Sequence, residues 1–336
     1  MQAQVFKIHS DFYYVKNSKH EEFTCKLREV LKKQKIDVQV GDFVELSEDK
    51  NFIIKRLERK NFLLRPKASN IDLAVVVAAL KEPELDFNQI NRYLAYLKYF
   101  NIEAVICFNK EDLEENLEQR KKEIKEIYEK CNYKTFFISA KNKLDLDEFS
   151  NYIKDKTIAL CGLSGVGKST LLKSLNPNLQ IRTNEVSKKT QRGTHTTRHC
   201  ELIEFNDFKI MDTPGFSCLK FDFLLPEKII TLFDDINKFN LGCKYSNCLH
   251  DATQNGICSI VDNLDKIDKT RYESYLLFLQ EAKEYKELIK TRSIKEQTFN
   301  KNVGNKVLTK ISKRKRFSSR KTDNQKVKDL KDDEQV

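Results

Sequence analysis

Along residues 1–67 the apolar positions come in short runs broken by charged turns, with no helical recurrence. The runs Asp11-Phe12-Tyr13-Tyr14-Val15, Glu22-Phe23-Thr24-Cys25-Lys26-Leu27, Asp42-Phe43-Val44-Glu45-Leu46, Phe52-Ile53-Ile54 and Phe62-Leu63-Leu64 predict strands. Closely spaced strands at this length suit a five-stranded barrel of the oligonucleotide-binding (OB) type. From about Ser69 the period changes. The apolar run Leu73-Ala74-Val75-Val76-Val77-Ala78-Ala79 is followed by a helical pattern from Phe87 to Tyr99, and further buried-strand candidates are Ala104 to Phe108, Thr135 to Ser139, Thr157 to Cys161, Leu202 to Phe205 and Phe208 to Met211. This alternation predicts βα units and a mainly parallel six-stranded sheet. After Pro226 the strands stop. An amphipathic stretch from Glu227 to Phe239 leads to a cysteine cluster, and a long helical pattern runs from about Asp268 to Ile289.

At 336 residues the chain is long enough for two or three modest domains, and three are expected, followed by a tail. No apolar run approaches the roughly 20 residues that span a bilayer, and the start, Met1-Gln2-Ala3-Gln4-Val5-Phe6, lacks the basic flank and apolar stretch of an export signal. A soluble, cytoplasmic protein without a membrane partner is the expectation. Nine cysteines are an odd number for a disulfide framework. Cys107, Cys161 and Cys200 fall in or beside strand-like runs, where a reduced thiol packs as a small hydrophobe.

Charge changes the picture in one place. Residues 286–321 carry thirteen Lys/Arg against two Glu, so the whole formal net charge of +11 lies there. Such a segment suggests a polyanionic partner, nucleic acid rather than membrane because no apolar helix face accompanies it. The plainer reading of residues beyond about Ser312 is a solvated tail.

Gly162-Leu163-Ser164-Gly165-Val166-Gly167-Lys168-Ser169-Thr170 satisfies the phosphate-loop pattern between a strand and a helix. Glycines let backbone N–H groups curl around phosphates, Lys168 neutralises the terminal phosphates and Ser169 offers its hydroxyl to Mg²⁺. Downstream, Met211-Asp212-Thr213-Pro214-Gly215 closes a strand, where Asp212 can hold Mg²⁺ through water and the Gly215 N–H can meet a γ-phosphate. Between them, Gly193-Thr194-His195-Thr196-Thr197 is a polar loop able to close a threonine hydroxyl, Thr197 in preference to Thr196, over Mg²⁺.

Asn109-Lys110-Glu111-Asp112 follows the Ala104 to Phe108 strand. The Asp112 carboxylate can accept from both the ring N–H and the exocyclic amine of guanine, a donor pair that adenine lacks. By itself the tetrapeptide is equally a helix cap. Ser139-Ala140-Lys141, ending the next strand, supplies a loop suited to backbone contact with the guanine oxygen. The base-reading pair therefore precedes the phosphate loop, the reverse of the conventional order. The chain then leaves the α/β domain just after the Asp212 to Gly215 segment, so phosphate-dependent movement there would pull directly on the C-terminal region.

Phe216 occupies the place after Gly215 where many GTPases carry a water-orienting glutamine. His195 is the candidate for that work, with His199 or a partner as alternatives; a partner contact or backbone cap is the plainer role for His195. Cys243, Cys248, His250 and Cys258 supply three thiols and an imidazole within sixteen residues, a set that suits one closed tetrahedral structural Zn²⁺ site. Buried free cysteines are the alternative.

Together the motif order, the Gly-Thr-His-Thr-Thr loop and the cysteine–histidine cluster resemble the circularly permuted, small-ribosomal-subunit-dependent RsgA GTPases, from about Val5 to Ile289. Arg65-Pro66-Lys67-Ala68-Ser69-Asn70-Ile71-Asp72 looks like that family's junction between barrel and GTPase domain. The resemblance implies an OB-type barrel (1–67), a circularly permuted P-loop GTPase α/β domain (68–225) and a helical zinc-binding domain (226–290), with the basic tail (291–336) outside the pattern. It further implies GTP hydrolysis to GDP, late maturation of the small ribosomal subunit with contacts to its rRNA, and release upon hydrolysis; a monomer suffices. The family's gap between histidine and last cysteine is shorter than the seven residues between His250 and Cys258. A GTP-gated RNA-binding module acting on another RNA assembly is the competing reading.

Overall fold

The structure is a computed structural model that describes residues 1–64, 66–176, 200–205, 207–212, 219–245, 247–251, 258–291, 298–299 and 308–309, with backbone alone at 212, 290–291, 298–299 and 308–309. The chain divides into two compact units, Met1–Leu219 and Lys220–Val336.

The first unit opens with β1 (Gln2–His9), β2 (Phe12–Lys16), β3 (Glu22–Leu27), a short helix α1 (Glu29–Lys33), β4 (Phe43–Leu46) and β5 (Phe52–Arg56). The order β1-β2-β3-β5-β4, closed by β4 pairing back to β1, makes a five-stranded barrel. Closure follows from alternation: Ala3, Val5, Val15, Cys25, Leu27, Val44, Leu46 and Ile53 point inward and form its core. Two details differ from the sequence expectation. Gln2–His9, not among the expected runs, is the first barrel strand, whereas Phe62–Leu64 (β6) lies outside the barrel in a hairpin with Lys67–Ser69 (β7). All three residues of β6 are buried, so no alternation marks it as a barrel strand.

The residues flanking and forming the β6–β7 hairpin are tied to the barrel by a buried ion pair. Arg59 donates to both Asp42 carboxylate oxygens at 2.7 and 2.8 Å, while Ser69 Oγ and the Gln39 N–H donate to the same carboxylate at 2.6 and 2.7 Å. Both charged side chains are fully enclosed, so the pair persists because these bonds replace lost hydration.

Next come β8 (Leu73–Ala79), α2 (Phe87–Tyr99), β9 (Ala104–Asn109), α3 (Leu117–Tyr128), β10 (Thr135–Phe137), α4 (Leu146–Ile153), β11 (Thr157–Cys161), α5 (Lys168–Leu175), β12 (Glu201–Glu204) and β13 (Lys209–Asp212). Their sheet order is β10-β9-β8-β11-β13-β12, parallel except for β12. Every residue of β8, β9 and β11 is buried, which is why these strands read as unbroken apolar runs.

The two sheets are continuous. Edge strand β12 pairs antiparallel with β1, Lys7 opposite Glu201, giving eleven strands in all. Ion pairs line the seam: Lys7 with Glu201 at 3.3 Å, and Glu204 with Lys16 at 2.8 Å and Lys209 at 3.4 Å.

In the second unit, short helices at Pro226–Ile229 and Asp234–Asn237 pack with a long helix, Lys269–Thr291. Phe221, Phe233, Tyr275 and Phe278 form an aromatic core, and Arg271 bonds Asp235 at 2.8 Å. No helix among the described residues is long and apolar enough to cross a membrane.

Candidate functional site

Four chemistry-bearing segments converge because each follows the C-terminal end of a parallel strand: Asn109 ends β9, Ser139 follows β10, Gly162 follows β11 and Asp212 ends β13. The carboxyl edge of an open α/β sheet is where such folds form their binding crevice.

The phosphate loop takes the backbone its glycines allow. Gly162, Gly165 and Gly167 have φ of +144°, +84° and +96°. A Cβ on Gly162 would lie 2.2 Å from the Val77 carbonyl, and one on Gly167 2.2 Å from Asn109 Nδ2, so close approach as well as conformation demands glycine at both. Val166 is buried and Leu163 packs against the core, whereas Ser164 and Gly165 are exposed. Lys168, the first residue of α5, donates to the Gly162 and Leu163 carbonyls at 2.8 and 2.6 Å. Burial lowers its pKa, and phosphate oxygens at this point would favour the charged form. Ser169 and Thr170 come next, exposed, on the first turn of α5.

Asn109 ties the site together. Its Nδ2 donates to the Val166 carbonyl at 2.9 Å, and its Oδ1 accepts from the Ala140 N–H at 2.9 Å, so one buried amide bridges the phosphate loop and the Ser139-Ala140-Lys141 loop. Ser139 is buried and its Oγ accepts from the Asn142 N–H at 3.2 Å. Lys110 adopts a left-handed φ of +64° and its ammonium donates to the Glu82 carbonyl. Glu111 points inward and Asp112 outward on the 3-10 turn Glu111–Leu113, leaving Asp112 and Lys141 exposed. An exposed carboxylate on an anchored turn is what reading a base edge requires. Sequence reasoning missed Glu82, which contributes only a backbone carbonyl.

Asp212 has its backbone in place at the end of β13, adjacent to β11. His195, Thr197 and Gly215 lie outside the described residues.

In the second unit Cys243, Cys248, His250 and Cys258 bring their ligand atoms within 4.8 Å of one another, a group that could hold a metal ion. Cys243 Sγ and Cys258 Sγ each lie 3.5 Å from His250 Nδ1 and 3.9 Å from each other. Tetrahedral Zn²⁺ with bonds of about 2.3 Å to sulfur and about 2.0 Å to nitrogen would set S···S near 3.8 Å and S···N near 3.5 Å. The long gap before Cys258 does not keep it out of the cluster. Burial raises the Cys258 pKa to about 11 and lowers that of His250. The long helix fixes the loop: Tyr275 and Tyr272 hydroxyls donate to the Leu249 and His250 carbonyls at 2.6 and 2.7 Å.

Comparison with known proteins agrees with this geometry. The family profile described as RsgA N-terminal domain matches residues 2–52 and that described as RsgA GTPase matches residues 56–222. A profile described as 50S ribosome-binding GTPase matches residues 157–303. The small ribosomal subunit biogenesis GTPase RsgA 2 of Listeria innocua is 38% identical over 290 residues, covering 85% of this chain and 99% of the relative. Among solved structures, YjeQ from Thermotoga maritima superposes with a TM-score of 0.70 at 30% identity, over 84% of this chain and 98% of that one. YloQ, a circularly permuted GTPase, gives 0.67 at 30% identity over 84% and 95%. The chain belongs to the RsgA GTPase family and is a circularly permuted P-loop GTP hydrolase.

Proposed function

We propose that this protein is a GTP-dependent maturation factor of the small ribosomal subunit, acting in the cytoplasm as a monomer. The observation that carries the reading is the Asn109 bridge, which joins phosphate-binding and base-reading loops into one guanine-nucleotide site. In this reading Asp112 selects guanine, Ala140 and Lys141 border the base, and Lys168 stabilises charge on the transferring phosphoryl group. Ser169 and Asp212, with Thr197, would hold Mg²⁺, which supplies further neutralisation of phosphate charge when bound. Gly215 would meet the γ-phosphate, and His195 would orient the attacking water.

Zn²⁺ is the metal we assign to Cys243, Cys248, His250 and Cys258, as a structural ion. The sulfur and nitrogen spacing supports a closed tetrahedral site. The barrel (1–67), which precedes the GTPase domain (68–225), and the basic segment 286–321, which begins at the end of the zinc domain (226–290), would contact rRNA, with salt-sensitive affinity. Relatives named for small-subunit biogenesis align along 84–85% of the chain, which favours this subunit over the large one that the 157–303 profile describes.

The test is co-sedimentation with separated ribosomal subunits, with GDP or a non-hydrolysable GTP analogue, beside turnover measured with each subunit. Binding to the small subunit in the GTP state, with stimulated hydrolysis, is expected. Absence of stimulation at every salt concentration would refute the ribosomal assignment. Stimulation by the large subunit alone would replace it.

A further inference from the structure

The third residue of the base-reading tetrapeptide is a buried carboxylate. Glu111 is 4% exposed, while Asp112 beside it faces solvent. A carboxylate in that position needs compensation, and the described residues supply one cation: Lys121, from α3, with Nζ 3.1 Å from Glu111 Oε2. That oxygen is buried and receives no well-directed hydrogen bond, so the ion pair is its compensation.

Lys121 also reaches the other half of the base site. Its ammonium lies 5.7 Å from the centre of the Phe137 ring, at the end of β10, just before Ile138-Ser139-Ala140. The Glu111 N–H donates to the Ile138 carbonyl at 3.2 Å. Asp145, at the far end of the Ser139 loop, places a second negative charge near the Glu111 carboxylate, which sharpens its need for Lys121. Burial raises the Glu111 pKa, the Asp145 charge adds to that and Lys121 opposes it. The turn carrying Asp112 is thereby held to helix α3 and to the start of the loop that borders the base.

We infer that Lys121 and Glu111 are positioning residues for guanine selectivity: their ion pair sets the orientation of Asp112 relative to the Ser139-Ala140-Lys141 loop. The inference rests on the guanine-site reading above. Its physical content is that Asp112 must meet two donors of the base at once, and the exocyclic amine is lost first if the turn rotates. Hypoxanthine keeps the ring N–H and lacks that amine, so the GDP-to-IDP affinity ratio reports Asp112 alignment directly. Lys121 is otherwise one of several charged residues on an amphipathic helix, and its other near neighbour, Glu118 at 3.8 Å, is exposed.

The experiment uses the full-length protein, displacing a fluorescent guanine nucleotide with GDP or IDP, in wild type, Lys121→Met, Lys121→Arg and Glu111→Gln. Lys121→Met and Glu111→Gln are expected to weaken GDP binding about tenfold while changing IDP binding much less, and Lys121→Arg to restore most of the ratio. Thermal midpoints are followed in parallel, because a purely structural role would lower stability and leave the ratio where it was. An unchanged ratio in both Lys121→Met and Glu111→Gln, with a selective wild type, overturns the inference and leaves the guanine site standing. A wild type that does not prefer GDP to IDP overturns the guanine-site reading itself.

Discussion

Asn109 and Gly167 meet so closely that their substitutions must interact, and the sign of the interaction is fixed by geometry. In Asn109→Ala the Val166 carbonyl and the Ala140 N–H both lose their partner in a buried setting. Each orphaned group costs about 1–3 kcal/mol, so the single substitution should cost roughly 2–6 kcal/mol. Gly167→Ala forces a side chain into φ +96°, and its Cβ would sit 2.2 Å from Asn109 Nδ2. The left-handed backbone costs about 1–2 kcal/mol, and expelling the amide from Val166 adds about 1–3 kcal/mol. In the double variant the amide is already gone and the new methyl occupies its space, so only the backbone strain is added. The pair should therefore cost less than the sum of the singles by about 1–3 kcal/mol. The chain has no tryptophan, so denaturation is monitored by far-ultraviolet circular dichroism, with and without GDP, the shift giving affinity by linkage. Costs that add within about 0.5 kcal/mol would refute the claim that Asn109 is the link between the two loops.

Other expected outcomes rest on the same kinds of contact. Arg59→Ala strands the enclosed Asp42 carboxylate and should destabilise the first unit by about 3–5 kcal/mol in chemical denaturation. Glu204 is pulled below its ordinary pKa: burial opposes the shift, but Lys16 and Lys209 outweigh it. A depressed carboxylate stabilises the fold above its unfolded pKa and loses that contribution as pH falls through the folded value. Glu204→Gln should thus cost up to about 1 kcal/mol at neutral pH, and the gap to wild type should close on acidification through the glutamate range. Removing metal with a strong chelator should lower the stability of the Lys220–Val336 unit and release one Zn²⁺ per chain, read by elemental analysis and circular dichroism. A protein that carries no metal and melts identically with chelator would refute the zinc assignment.

What the sequence made legible divides along physical lines. The phosphate loop was readable because its backbone demands glycines at fixed spacing, and β8, β9 and β11 because strands buried on both faces leave unbroken apolar runs. Strand β1 was not: its inward residues Ala3 and Val5 are small, and Phe6 beside Val5 is apolar though only half-buried, so the alternation is weak. Phe62–Leu64 misled for the opposite reason, being apolar throughout yet paired in a hairpin outside the barrel.

Contacts between remote segments were illegible for a different cause. Nothing local says that Lys7 will face Glu201 across 194 positions, or that Lys121 is the counter-ion of Glu111 rather than a solvated helix charge. Such pairs become visible only when burial is known, because burial decides which charges need partners. Burial also separates the two seams that hold the barrel. The Lys7–Glu201 and Lys16–Glu204 pairs keep 22–39% of their side-chain surface in solvent, so screening limits each to about 1 kcal/mol or less. Arg59 and Asp42 keep at most 1%, and losing one partner leaves the other charge buried. Barrel attachment should therefore survive the loss of either exposed pair singly and fail with the buried one, although all three are salt bridges of similar length.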